Sequence, residues 1–325
     1  MKVLHLSFHN GCQNDIQYIC NKLNIELTSN VFHDGISIGN DQYNITHDKA
    51  ENAWKLYKDF YEQFDCIITS DTAPISRVFL QNNWKKKLII WICNRFDYSH
   101  QPCDNFPDKE YYDLINDVKN RDNIYIIGYT PFENVYANIY KKLSIGYEII
   151  KPIGKIISYD FNSTIVNNKL QTFLIGPYHN DNIMMDLKKK IESLEINVYN
   201  GRYNGPLDLV EFAGIIHIPY AWSNLALFEA IQLDIIYLIP SLCFLKELSK
   251  EENFWYQDMQ YFNDNIHLSE WYCSEHKDLF IYFDSWKDLK FKIDNTNFKL
   301  KKKFIKNHAL YHENLMLLKW ENILF

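Results

Sequence analysis

The stretch "FAGIIHIPYAWSNLALFEAIQLDIIYLIPS", Phe212 to Ser241, places a helical segment with a single acid, Glu229, between two apolar runs. "GIIHIP" and "DIIYLIP" are short, rich in β-branched residues and bounded by turn formers, so each reads as a buried strand. The alanine-spaced segment between them has the helical period, with Ser223 as the expected N-cap and Glu229 about two turns in. Strand, helix, strand in this order is the βαβ unit of a parallel sheet. Such sheets bind ligands beyond the carboxyl ends of their strands, so an acid on the helix that follows a strand is a candidate for ligand contact.

The same pattern extends in both directions. Strands are expected at Gln171–Gly176, Ile196–Asn200, Gly214–Pro219, Asp234–Pro240 and Leu279–Phe283, with helices starting near Asp181, Pro206, Ser223 and Ser285. Toward the N-terminus they are expected at Lys2–Phe8, Asp65–Ser70, Lys87–Cys93 and Ile124–Tyr129. Asp48 and Glu51 read there as a capping box, and Pro74, Pro107 and Pro131 stand where a first helical turn accepts proline. The Pro, Gly, Asn and Ser of the segment around residues 153–169 mark a linker or hinge. The expected fold is therefore α/β, with two facing Rossmann-like domains at 1–152 and 170–298. A C-terminal helix at 299–325 crosses back to the first.

Composition limits the chemistry. A net charge of −7 offers no broad positive surface to neutralise a polymer's phosphates, so nucleic acid is not an expected partner. The lysine runs Lys85–Lys87, Lys188–Lys190 and Lys301–Lys303 read as solvated helix faces, leaving at most weak peripheral membrane contact. Seven scattered cysteines with no C-x-x-C read as reduced thiols of a cytoplasmic protein. "MKVLHLSFHNG" is too short in apolar residues for a signal peptide, and no run approaches the ~20 residues of a membrane helix.

Residues just after each strand are the site candidates. "SFHNGCQND" puts His9, Asn10 and Gly11 after the first strand. Histidine titrates near neutral pH, so His9 can accept a proton from a hydroxyl if a carboxylate orients its ring. Asp71 and Asp97 each follow a strand and are both candidates for that carboxylate. "CNRFDYSHQPCDNFPD" adds Arg95, suited to bidentate grip of a carboxylate or phosphate, and His100, an alternative base. In the second half Glu229 can accept from two neighbouring hydroxyls, while a helix N-terminus at Ser223 and Asn224 favours phosphate. His217, inside a strand, reads as a core histidine.

The segment from Leu207 to Ser241 resembles the donor-binding segment of GT-B-fold glycosyltransferases, in which a strand, a loop, a glutamate-bearing helix and a strand follow one another. The resemblance implies a nucleotide-sugar donor, UDP- or GDP-linked, held by the second domain with Glu229 on the ribose. It implies an acceptor-side first domain in which His9 matches the base of some inverting members. Many retaining members carry a second glutamate eight residues earlier, where this chain has Ala221, which favours inversion. The basic residue those enzymes place after the domain's first strand is missing from "LIGPYHND", which offers Gly176, and Arg202 is the nearest replacement. The absence of an Asp-x-Asp pair, of P-loop and dinucleotide fingerprints and of H-E-x-x-H leads to an expectation of no metal and no cofactor beyond the co-substrate. The acceptor is expected to be a glycan or other hydroxyl compound. The alternatives are an epimerase or hydrolase of the same fold, or a nucleotide- or sugar-binding module without turnover.

Overall fold

The computed structural model describes residues 1–29, 45–97, 109–146, 148–156, 171–175, 181–250 and 263–325. Gly176, His100, Pro107 and linker residues 157–169 lie outside them. The chain divides into two compact units, Met1–Pro152 together with Asn314–Phe325, and Ile153–Glu313.

In the first unit the elements are β1 (Lys2–Leu6), α1 (Asn10–Lys22), β2 (Glu26–Ser29), α2 (His47–Tyr61), β3 (Cys66–Asp71), α3 (Arg77–Gln81), β4 (Lys87–Ile92), α4 (Lys109–Val118), β5 (Ile124–Gly128) and α5 (Pro131–Lys141). The sheet is parallel in the order β2-β1-β3-β4-β5. β3 is buried along its whole length and β4 along nearly all of it, which is why both read as continuous apolar runs. β2 escaped the sequence reading because "ELTS" is short and polar; it is an edge strand, half exposed. The cap of α2 is Thr46, whose Oγ1 accepts from Lys49 N at 3.3 Å, rather than Asp48. Asp48 lies instead in the first turn, where its charge suits the helix dipole. Pro131 occupies the first turn of α5, behind a Thr130 cap.

In the second unit the elements are β6 (Phe173–Ile175), α6 (Asp181–Glu192), β7 (Val198–Tyr199), β8 (Gly214–Ile216), α7 (Leu225–Gln232), β9 (Tyr237–Pro240), α8 (Leu242–Leu248), β10 (Ile281–Phe283) and α9 (Trp286–Asn295). The parallel order is β10-β9-β8-β6-β7. Counted from the first strand of each unit, both sheets run 2-1-3-4-5, so the two halves share one topology. Strand order reverses between β1 and β3 in the first sheet and between β6 and β8 in the second. The loops after those strands flank the ligand crevice of a doubly wound sheet.

Helix α10 (Phe298–Leu324) begins in the second unit and ends in the first. Its last turns are fixed there by named contacts. Trp320 packs edge-on against Trp91 at 5.5 Å, both fully buried. Lys87 Nζ donates to the carbonyls of Ile323 and Leu324 at 2.7 and 2.8 Å, satisfying the helix's terminal acceptors. Lys319 Nζ donates to Ile149 O at 2.7 Å. Among the described residues no helix is long and apolar enough to cross a membrane.

Candidate active site

At the carboxyl edge of the first sheet, β1, β3 and β4 deliver a cluster of ionisable groups. His9 caps α1 with extended backbone; its amide donates to Ser7 Oγ at 3.2 Å, which shapes the turn out of β1, and its side chain is exposed. Asn10 and Gly11 open the helix beside it. Cys12, one turn in, is buried, and Cys93, His9 and Ser70 act on its thiol. Those groups, Cys93 first and then His9, pull the Cys12 thiol below its ordinary range against the opposing effect of burial. Cys93 is pushed up, first by burial and then by the neighbouring Cys12.

Asp71 ends β3 with φ of 81°, an uncommon conformation for a residue other than glycine. Its side chain is buried and Oδ2 takes no hydrogen bond among the described residues. Burial, reinforced by the charge at Cys12, raises its pKa to about 7, and His9 and the Asn94 side chain pull the other way. Behind it His5 Nε2 lies 2.9 Å from Ser70 Oγ; burial lowers that imidazole to about 3, so it is neutral.

Asp97 has a different environment. Lys141 Nζ sits 3.1 Å from its Oδ1 with both side chains buried, and Tyr112 donates to Oδ2. This carboxylate anchors α4 and α5 to the loop after β4. Arg95 and Phe96 hold φ of 48° and 59° in that loop, and the buried Glu133 carboxylate accepts both of their amides, at 3.1 and 3.3 Å. Backbone held in the left-handed region by a buried carboxylate is strain of the kind that gathers at functional loops. The Arg95 side chain is itself largely buried.

In the second unit the N-cap of α7 is Asn224, whose Oδ1 accepts from Leu227 N at 2.8 Å, rather than Ser223. The helix has eight residues, so Glu229 stands just past its first turn rather than two turns in. Glu229 is half-buried and acts electrostatically on the buried Tyr237. Gly154, at φ of 77°, packs on the α7 backbone: a Cβ there would stand 2.6 Å from Phe228 O and Glu229 N. Arg202 is exposed beyond β7, its carbonyl accepting from Tyr199 OH at 3.0 Å. The Ala221 carbonyl accepts from Trp271 Nε1 at 2.8 Å. His217 is a core residue, 4.4 Å from the Trp271 ring and lowered to about 3 by burial.

The structure therefore places His9 and Asp71 within electrostatic reach of each other, directs Asp97 to Lys141 and Tyr112, and adds Cys12, Ser70, Cys93 and Asn94, which the sequence reading did not place in a site. Strand-end position was their available signal: Ser70 and Asp71 close β3, and Cys93 and Asn94 follow β4.

No protein-family model and no curated protein matches this chain in sequence. Solved structures match it in fold. The glycosyltransferase SnogD from Streptomyces nogalater superposes with a TM-score of 0.53 at 8% identity, over 95% of each chain. Arabidopsis thaliana UGT89C1 complexed with UDP gives 0.51 at 8% identity, over 99% of this chain and 92% of that one. A putative UDP-N-acetylglucosamine 2-epimerase from Listeria monocytogenes gives 0.53 at 10% identity, over 97% and 93%. The fold is that of the GT-B glycosyltransferases, a fold shared with these epimerases.

Proposed function

We propose that this chain is a glycosyltransferase that moves a sugar from a nucleotide-sugar donor to an acceptor hydroxyl, with His9 as general base and no metal ion in the chemistry. The observation that supports it most is the electrostatic attraction between His9, in the turn after β1, and Asp71, the last residue of β3, at the switch point of the first sheet. A neutral His9 ring nitrogen takes the acceptor's proton as the oxygen attacks the anomeric carbon, and the bond to the donor's diphosphate breaks with its electron pair leaving on a phosphate oxygen. Asp71 stabilises the imidazolium that forms, and is itself more readily ionised once that charge is present. In the second unit Glu229 accepts from the ribose hydroxyls, while the amides of the first turn of α7 and Arg202 face the diphosphate. A uridine nucleotide is the first donor to try, because UDP is the ligand in the Arabidopsis relative's structure. With Ala221 where retaining members carry an acid, the displacement inverts the anomeric centre.

Epimerisation of the donor sugar is the second reading, favoured by the likeness to the Listeria epimerase. Release of nucleoside diphosphate measured across UDP- and GDP-sugars, with and without acceptors, separates the two. Transfer requires the acceptor, and His9→Ala lowers turnover at least ~10²-fold with donor affinity nearly unchanged. Donor-sugar interconversion without any acceptor, or a His9→Ala protein of near-normal turnover, sinks the base assignment.

A further inference from the structure

Away from the sheet edges, the second unit gathers histidines and carboxylates from two places in the chain. His308 and His312 stand one turn apart on α10, on the same face of the helix. Their rings stack at 15° with centroids 6.1 Å apart. From the turns before β10 come Glu270, Cys273, Glu275 and His276. Ligand atoms of Glu275, His308 and His312 all lie within 4.8 Å of one another, as do those of Glu270, Cys273 and His276. Glu275 Oε1 joins the two groups, 3.9 Å from both His312 Nδ1 and His276 Nε2. The His276 ring lies 5.5 Å from that of His308.

The tautomer of His276 is set by its surroundings. Nδ1 faces two acceptors, Glu270 Oε2 at 3.0 Å and Glu270 O at 3.2 Å, so it carries the proton and donates. In the neutral ring Nε2 then holds a lone pair, on the side of Glu275. A buried carboxylate behind a histidine whose other nitrogen faces further donors is the outer-shell arrangement that orients metal-bound imidazoles. Glu270 and His276 are fully buried and His312 nearly so, whereas Glu275 is partly exposed and leaves a way in from solvent.

From this geometry we propose a structural site for a divalent transition cation, zinc in the first instance, held by Glu275, His276, His308 and His312 with Glu270 as the outer partner of His276. Three imidazoles and one carboxylate are a donor set that suits zinc in tetrahedral coordination. Bond lengths of about 2.0–2.1 Å give tetrahedral edges of about 3.3 Å, so the donors of Glu275, His308 and His312, now within 4.8 Å of one another, close on the ion by side-chain torsions, and His276 joins them from the Glu275 side, its Nε2 3.9 Å from Glu275 Oε1. The ion takes no part in sugar transfer. It ties α10 to the turns before β10, and through the Phe228 ring stacked on His312 at 5.6 Å it braces the helix that carries Glu229.

The test uses the full chain, loaded with zinc chloride, desalted, and analysed for metal by mass spectrometry and for thermal unfolding. The expected result is one zinc per chain and a raised melting temperature. The exposed-ligand variant Glu275→Gln and the outer-partner variant Glu270→Gln, each checked for native circular dichroism, should bind zinc 10- to 100-fold more weakly. In His308→Ala/His312→Ala the stoichiometric zinc and the thermal shift should both disappear. Cobalt(II) in place of zinc should give the visible absorption of a tetrahedral site in the wild type and not in the double variant. Wild-type chain that keeps less than a tenth of an equivalent of zinc and shows no thermal shift overturns the proposal. So does a folded double variant that binds zinc as tightly as wild type.

Discussion

Asp71→Asn should make the protein more stable and less active, and the size of the first effect follows from burial. The carboxyl is raised from 3.8 to about 7, chiefly by desolvation. The folded state therefore binds this proton more tightly than the unfolded chain does, and stability falls as pH rises between those two values. The contribution is fully present below pH 3.8 and gone above about 7. At ~1.36 kcal/mol per pH unit the cost at pH 8 reaches about 4 kcal/mol. Relaxation and water penetration around buried charges bring the expected gain from the isosteric amide to about 2 kcal/mol. Urea unfolding of wild type and variant at pH 5 and pH 8 measures it: the variant's advantage should be small at pH 5 and grow toward pH 8. A variant no more stable than wild type at pH 8, or an advantage that does not change with pH, refutes the argument. In the same variant transfer should drop at least ~10-fold, because the amide carries no charge to set against the imidazolium. The wild-type rate should rise with pH through about 7 as Asp71 ionises, and the variant should lose that limb.

Three other outcomes follow from the packing. Glu229→Ala should weaken nucleotide binding by ~1.5–3 kcal/mol in a folded protein, read by titration calorimetry, and an unchanged dissociation constant removes the residue from the donor site. Lys141→Met leaves the Asp97 carboxylate buried without its cation and should cost ~3–5 kcal/mol by urea unfolding, part of which Lys141→Met/Asp97→Leu recovers; equal loss in both variants contradicts the ion-pair account. Gly154→Ala forces a Cβ onto the α7 backbone from a left-handed residue and should destabilise by more than ~1 kcal/mol, so a neutral substitution shows that the contact yields.

The layout was legible because its cause is local. Parallel strands buried on both faces must be apolar runs, so "KLIIWIC" and "DIIYLIP" announce themselves, and the helices between them carry the 3.6 period. β2 was not legible, since an edge strand needs no second apolar face and "ELTS" has none. Caps were displaced by one or two residues, at Thr46 and Asn224, because neighbouring Ser, Thr, Asn and Asp all satisfy the same preference and only the turn's geometry selects among them.

The site was half legible for a different reason. Position after a strand is readable, and it nominated His9, Asp71, Asp97 and Glu229; partnership across strands is not. Asp71 and Asp97 look alike in sequence, yet Lys141, far along the chain at the end of α5, pairs with one of them, whereas burial, reinforced by Cys12, raises the other. What decides a carboxylate's chemistry is how deeply it is buried and whether a compensating charge stands opposite it. A buried acid with a lysine is committed to its ion pair. A buried acid facing a histidine and a thiol keeps a proton in play at the pH where a hydroxyl must be activated. The same reasoning applies to His308 and His312. Their spacing of four residues on a helix was visible, but its meaning depends on Glu275 and His276 arriving from another segment, and only the folded chain sets Glu275 beside the two histidines and His276 beside Glu275.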